Sequence, residues 1–169
     1  MTNSNHLAKL EEVGVGEKIQ DALCRLLETC ILFKDFTHQE LAQIMKYVHV
    51  YDAPKGAILF QEGEKDSYLM IVVSGKASIF KKSDSGENKQ IASVLRGSLL
   101  GEMTVIDDFP HSATVITSDK SQIALLTKNN LIKITEDYPA LGIKLLWKLA
   151  WQLSSRLRQA SGLLVDHIE

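Results

Sequence analysis

Arginine is scarce in this chain: Arg25, Arg96, Arg156 and Arg158 are the only four, within 19 basic side chains set against 21 acidic ones. A formal net charge of −2 argues against nucleic acid as the main partner, because that binding is driven by clustered positive charge. Cysteine is almost absent as well. Cys24 and Cys30 fall on one expected helix, which excludes a disulfide framework and a C-x-x-C redox pair and leaves buried, reduced thiols. The five histidines, His6, His38, His49, His111 and His167, are scattered singly, so local spacing builds no metal site. Ser112 has only His111 beside it as a base, and neighbours on a strand point to opposite faces, so a Ser-His nucleophile pair is excluded and no catalysis is expected. No apolar run approaches the roughly 18 residues needed to cross a bilayer. The start MTNSNHLAKLEE lacks the basic-then-apolar order of a secretory signal, so a cytoplasmic location with no membrane partner is expected.

What is present is enough for one globular core: 169 residues, 45% of them hydrophobic. Residues up to Ser4 read as loose, and Gly14 and Gly16 break a first helical pattern. From Ile19, the positions Leu23, Leu26, Leu27 and Cys30 recur at helical spacing. Thr37 and Glu40 form a Thr-x-x-Glu capping box ahead of Leu41, Ile44, Met45 and Val48, which predicts a second amphipathic helix. The period then changes to two. Ile58–Phe60, Tyr68–Val73, Ala77–Phe80, Ile91–Val94, Thr114–Thr117 and Ile123–Leu126 read as strands separated by Gly, Pro or Asp-Ser turns, with Ser83–Lys89 a polar hairpin tip. Many short strands at that spacing mean a sandwich or barrel. Leu131, Ile134 and Tyr138 give a short helix ending near Pro139, and a long helix runs from Ala140 to Leu164. On it, Leu146, Ala150, Leu153, Leu157, Ala160 and Leu164 alternate steps of four and three, the spacing of a coiled-coil seam, which predicts a homodimer. Trp147 and Trp151 are expected to anchor packing.

The stretch GEMTVIDDFPHSATV, Gly101 to Val115, joins a Gly-Glu turn to a short helix and then to a strand entry. A glycine lets the backbone approach an anion, and the first N–H groups of a helix lack intrahelical partners. Glu102 is suited to accept from a sugar hydroxyl, and Ser112 and Thr114 can donate to phosphate oxygens. The combination suits a small phosphorylated sugar.

FQEGEKDSYLMIVVSGKASIF from Phe60, then Gly97, the cassette at Gly101 and a long helix containing SSRLRQ together resemble the cyclic nucleotide-binding domain of the catabolite activator protein and of cyclic AMP-dependent kinase regulatory subunits. The resemblance covers Phe33 to Leu164, with Gly63, Gly75, Gly97 and Gly101 at the family's turn positions. It implies a mainly β fold: a jelly-roll barrel flanked by N-terminal helices and a long C-terminal helix. The implied organisation is a helical segment at 1–36, the nucleotide-binding barrel at 37–135 with its cassette at 101–115, and a lid or dimerisation helix at 136–169. The implied ligand contacts are Gly101, Glu102, Met103, Thr104, His111, Ser112, Ala113 and Thr114, with Arg96, Ser154 and Arg156 as auxiliary candidates and cAMP, cGMP or another cyclic nucleotide as ligand.

One position departs from the family. Its cassette carries an arginine on the cyclic phosphate where this chain has His111. A histidine offers at most two donors and is mostly neutral near pH 7, and a lost contact to a charged group costs on the order of 1.5–3 kcal/mol if nothing replaces it. Arg96, before the Gly97 turn, and Arg156, on the terminal helix, are the substitutes to consider, while Lys81, Lys82 and Lys89 belong to a hairpin expected to project into solvent. In activators of this family a helix-turn-helix module follows the long helix; with Glu169 close behind the seam, no direct DNA binding is expected. Two functions follow: a regulatory, non-catalytic cyclic nucleotide sensor acting in signal transduction on a separate protein, or a degenerate domain serving as a dimeric protein-interaction module without ligand.

Overall fold

The computed structural model describes residues 6–13, 17–30, 32–83 and 85–165, the side chains of 17, 18 and 163–165 excepted. The N-terminal residues read as loose, Gly14, Gly16, His167 and the side chain of Leu164 thus lie outside the described residues.

Among the described residues, nine strands form two sheets. Strands β1 (Glu11–Val13), β2 (His49–Ala53), β4 (Tyr68–Ser74), β7 (Leu99–Leu100) and β9 (Ser121–Thr127) make a five-stranded sheet in the order β1-β2-β9-β4-β7. Strands β3 (Ile58–Phe60), β5 (Lys76–Lys82), β6 (Asn88–Leu95) and β8 (Thr114–Thr117) make a four-stranded sheet in the order β3-β8-β5-β6. All pairings are antiparallel. Among the described residues the two sheets are not closed by hydrogen bonds into the expected barrel, so the jelly roll is a sandwich with open edges.

Helices α1 (Glu17–Thr29), α2 (His38–Met45), α4 (Lys128–Asp137) and α5 (Pro139–Val165) cover the outer face of the five-stranded sheet, and the short α3 (Glu102–Asp107) lies in the cassette. Period-two alternation divides the core between the layers. On β4, Leu69 and Ile71 face the helices, while Tyr68, Met70 and Val72 face the second sheet. On β9, Ala124 and Leu126 face the helices, and Ile123 and Leu125 the other way. Both strands are central and buried on both faces, so their sequences read as near-continuous apolar runs.

The capping box forms as the spacing predicts: the Glu40 N–H donates to Thr37 Oγ1 at 3.2 Å, and the Thr37 N–H donates to Glu40 Oε2 at 2.7 Å. Lys144 of α5 bonds the same carboxylate at 2.7 Å and lies 4.5 Å from the Phe36 ring centroid. Pro139 opens α5, where its missing N–H leaves no bond unmade. Three residues on, Gly142 lets α5 cross α4 closely, since a Cβ there would sit 2.6 Å from the Thr135 Cα. Leu141, Leu145 and Leu149 turn that half of α5 into the core. Cys24 and Cys30 are buried free thiols, and burial pushes both above the ordinary thiol pKa.

Three strands escape the alternation pattern. β1 (Glu-Glu-Val) is an exposed edge set by pairing with β2, and it replaces the helical pattern expected before Gly14. β7 has two residues only, and β2 carries His49 and Asp52 among its apolar positions. The two tryptophans do not anchor packing within the chain: Trp147 is 74% exposed and Trp151 43%.

Candidate functional site

At one end of the inter-sheet core is a pocket of about 160 Å³ between the cassette, the second sheet and α5. Its apolar wall is Phe60, Ile79, Ile91, Leu100 and Val115; its polar side is Gly101, Glu102, His111, Ser112 and Arg156.

Gly101 makes the site possible. It caps α3 in the left-handed conformation, φ 74°, and a Cβ there would lie 2.7 Å from the Tyr68 carbonyl oxygen. The tight turn from β7 into α3 directs Glu102 inward, where only 1% of the residue is exposed. Burial pushes this carboxyl above its ordinary pKa, opposed by the Arg156 guanidinium and by hydrogen bonds from the Glu102 N–H and from Arg156. Arg156, 54 residues away in sequence, donates from Nη1 to Glu102 Oε1 and from Nη2 to the Leu99 carbonyl at 2.7 Å. The terminal helix is thereby tied to the cassette through its acid. Thr104, also buried, donates to the Gly101 carbonyl at 3.1 Å and holds the first turn of α3.

His111 stands on the other wall and is 3% exposed. Its ring stacks on Phe60, centroids 4.0 Å apart and planes at 11°, and tilts against Tyr68 at 5.5 Å. Its backbone pairs with the β3–β4 loop: its N–H donates to the Glu64 carbonyl, and its own carbonyl accepts from the Gly63 N–H, each at 2.9 Å. Nε2 is buried with no hydrogen-bond partner among the described residues. Desolvation pushes the imidazole below its ordinary pKa, against the pull of Asp66 and Glu64. The histidine at the family's arginine position is therefore inside the protein and neutral near pH 7.

The remaining expected residues divide. Met103, Ser112 and Ala113 line the pocket with Gly101, Glu102, Thr104 and His111; Ser112 is exposed, its Oγ 4.0 Å from Met103 Sδ. Thr114 does not line it: its hydroxyl accepts from the Glu62 N–H at 3.0 Å and fixes β8 to the β3–β4 loop. Arg96 lies elsewhere, lining a separate cleft with Leu26, Thr29, Cys30, Gly97 and Ser98. Ser154 is exposed, accepts from Arg158 Nη1 at 2.8 Å and is not part of the wall. Of the auxiliary candidates, only Arg156 reaches the site. On the seam, Leu146, Ala150, Leu157 and Ala160 are exposed and Leu153 half-buried, so the chain's own core does not cover this stripe.

One feature had no expectation attached and another departs from its expectation. The apolar wall comes from strand positions whose partners meet across the sheet, Ile79 opposite Val115, a pairing that alternation alone suggests only once the strand order is known. Lys81 does not simply project into solvent: its Nζ donates to Glu62 Oε1 at 2.6 Å and to the Ser112 carbonyl at 2.5 Å, pinning the cassette's strand entry. Among the described residues no group of three or more His, Cys, Asp or Glu could hold a metal ion, and no helix is long and apolar enough to cross a membrane.

The site is thus a pocket of a two-sheet sandwich with a glycine-capped helical cassette, an inward acid and a long helix beside it. The pattern of the cyclic nucleotide-binding domain matches residues 52–138, just over half of the chain, and the chain belongs to that family. It is 26% identical over 129 residues to the cyclic AMP receptor protein of Thermus thermophilus, covering 76% of this chain and 58% of that one. It is 28% identical over 108 residues to the cAMP-dependent protein kinase regulatory subunit of Aspergillus fumigatus, covering 64% of this chain and 25% of that one. The chain thus spans less than two thirds of these relatives. A cyclic nucleotide-binding domain from Methylobacillus flagellatus superposes with a TM-score of 0.86 at 26% identity, covering 99% of this chain and 94% of that one. The Thermus thermophilus catabolite activator protein superposes with a TM-score of 0.73 at 26% identity, covering 81% and 62%.

Proposed function

We propose that this domain is a non-catalytic regulatory sensor that binds a cyclic nucleotide, cAMP or cGMP, and passes the signal to a separate protein. The observation that carries it is Glu102: a buried carboxylate on a pocket wall, held by a side chain that can leave. A carboxylate is kept in such a place at a desolvation cost, and a ribose hydroxyl is the donor that a nucleotide would bring to it. Ser112, at the pocket edge, takes the cyclic phosphate, and the base lies against Ile79, Ile91 and Val115. Arg156 is 43% exposed at its side chain, so it is free to turn from Glu102 to the incoming phosphate and supply the fixed charge that His111 does not. Because Arg156 rides on α5, a ligand that exchanges this contact favours a different position of the helix, which is the differential affinity a switch requires. Calorimetric titration of the full chain with cAMP and cGMP tests this: saturable binding that Glu102→Ala weakens at least tenfold is expected, and absence of heat for both ligands with folded protein leaves the ligand-free interaction module.

The same helix is the basis for a homodimer. Leu157 is 68% exposed, Ile143 57% and Leu146 37%, a broad apolar face opposite the one packed on the core. Light scattering on Leu157→Glu is expected to give half the wild-type mass with little change in folding, because this side chain touches solvent in the single chain; an unchanged mass rejects the seam.

A further inference from the structure

Cyclic nucleotide binding as proposed above engages Glu102, Ser112 and Arg156 and leaves His111 unused, a residue that lines the same pocket and whose Nε2 is buried behind its surface. That nitrogen is desolvated and has no hydrogen-bond partner among the described residues, so the empty site carries its full desolvation cost. The ring has little freedom to escape it. Phe60 covers one face at 4.0 Å between centroids, Tyr68 leans on it at 5.5 Å, and both backbone polar groups of His111 are tied to the Gly63–Glu64 segment. Its Cε1 edge lies toward Gly101, 3.5 Å from where a Cβ on that residue would sit, which puts the imidazole beside the cap of the cassette and next in sequence to Ser112.

The charged and titratable groups around it come from four sides. Glu64 and Asp66 of the β3–β4 loop favour the imidazolium. Glu64 itself is engaged, with His6 Nε2 at 3.1 Å and the Gln61 N–H at 3.1 Å. The Tyr68 hydroxyl of β4 donates to the Leu59 carbonyl at 2.9 Å and remains a neutral phenol. Across the pocket stand Glu102 of α3 and Arg156 of α5, already paired with each other, and Lys81 of β5 is held at the Ser112 carbonyl. In the empty pocket this balance leaves the ring neutral. A phosphodiester carries a full negative charge at every pH of interest, and placed at Ser112 it tips the balance toward the charged ring.

Resting on the sensor reading, we propose that ligand and proton enter this pocket together: the phosphodiester is bound against an imidazolium formed at His111, with one proton taken from solvent per nucleotide. An arginine at this position would be charged in advance and bind without regard to pH. The histidine makes occupancy depend on both nucleotide and acidity, a dual input at one site.

The test is calorimetry of cAMP binding to the full chain at pH 7 in two buffers of different ionisation enthalpy, whose difference counts the protons taken up. The expected result is uptake approaching one proton per ligand, affinity falling by up to about tenfold per pH unit between the free and bound pKa of the ring, and loss of both in His111→Gln, whose amide can hydrogen-bond but not titrate. In parallel, the histidine ring resonances of the wild-type protein are titrated with and without saturating cAMP, which needs no variant to fold; the His111 midpoint is expected to rise on binding. Binding with no proton uptake, uptake undiminished in His111→Gln, or a midpoint that does not move overturns the inference and leaves the sensor intact. No heat from cAMP or cGMP in either buffer overturns the sensor reading and this inference with it.

Discussion

The two faces of the five-stranded sheet are built on different principles. Toward the helices, Leu27, Leu41, Ile44, Leu145 and Leu149 are 0–2% exposed and no charged group is buried among the described residues of that layer. Toward the second sheet, the core gives way at one end to a pocket with a carboxylate and an imidazole, 1% and 3% exposed, the first held by a half-exposed arginine and the second left with no hydrogen-bond partner at Nε2 among the described residues. The helix side maximises burial and fixes the fold, while the pocket side retains polar groups that cost stability until something fills it.

If that contrast is right, mutations on the two sides separate. The largest effect belongs to the helix side: Leu145→Ala should cost about 2–5 kcal/mol in urea unfolding through lost burial and a cavity, with cAMP affinity of the folded protein unchanged. A weaker effect follows from Arg156→Ala, about 1–3 kcal/mol at pH 7 from leaving a buried acceptor without its charged donor, kept below the cost of breaking a fully buried pair by the exposure of the arginine. Its pH dependence has a fixed sign. The folded pKa of Glu102 is already raised, so the folded state binds the proton more tightly than the unfolded one, and stability falls as pH rises above the ordinary carboxyl pKa. Removing Arg156 raises that pKa further and steepens the fall; a flat difference between pH 5 and pH 8 would contradict the pairing.

The smallest effect concerns His111. Its folded pKa is depressed, so between the folded and unfolded values the unfolded chain binds more protons, and the contribution is complete above about pH 6.5 and lost as pH falls below it. His111→Phe preserves the stack on Phe60 and removes the titration, so unfolding curves should match wild type or exceed it at pH 7.5 and show a slower loss of stability toward pH 5.

Much of the fold was legible because it rests on local chemistry. The Thr37–Glu40 box, the strands at Tyr68 and Ile123, and the turns at Gly63, Gly75, Gly97 and Gly101, with φ between 74° and 87°, are each written in a few adjacent residues. β1 and β7 were not legible, since three and two residues hold no period and form only because a neighbouring strand offers its edge. At the site, the inward turn of Glu102 followed from Gly101. The pairing of Arg156 with Glu102 did not, since it spans 54 residues and depends on how α5 crosses the sheet. The bond that the Thr114 hydroxyl accepts from the Glu62 N–H of the β3–β4 loop, 52 residues away in sequence, has no local signal, and Lys81 looked solvated yet holds the Ser112 carbonyl. The burial of His111 is a tertiary fact as well. Phe60 and Tyr68 come from two different sheets, and only their meeting encloses the ring.

The central claim is that this pocket holds a cyclic nucleotide through Glu102, and the most direct measurement is a calorimetric titration of wild type and Glu102→Ala with cAMP and with cGMP at pH 6.5, both proteins verified as folded by circular dichroism. One nucleotide bound per chain by wild type, with affinity reduced at least tenfold in the variant, is the predicted result. No saturable binding of either nucleotide to wild type, or equal binding by the variant, would contradict it.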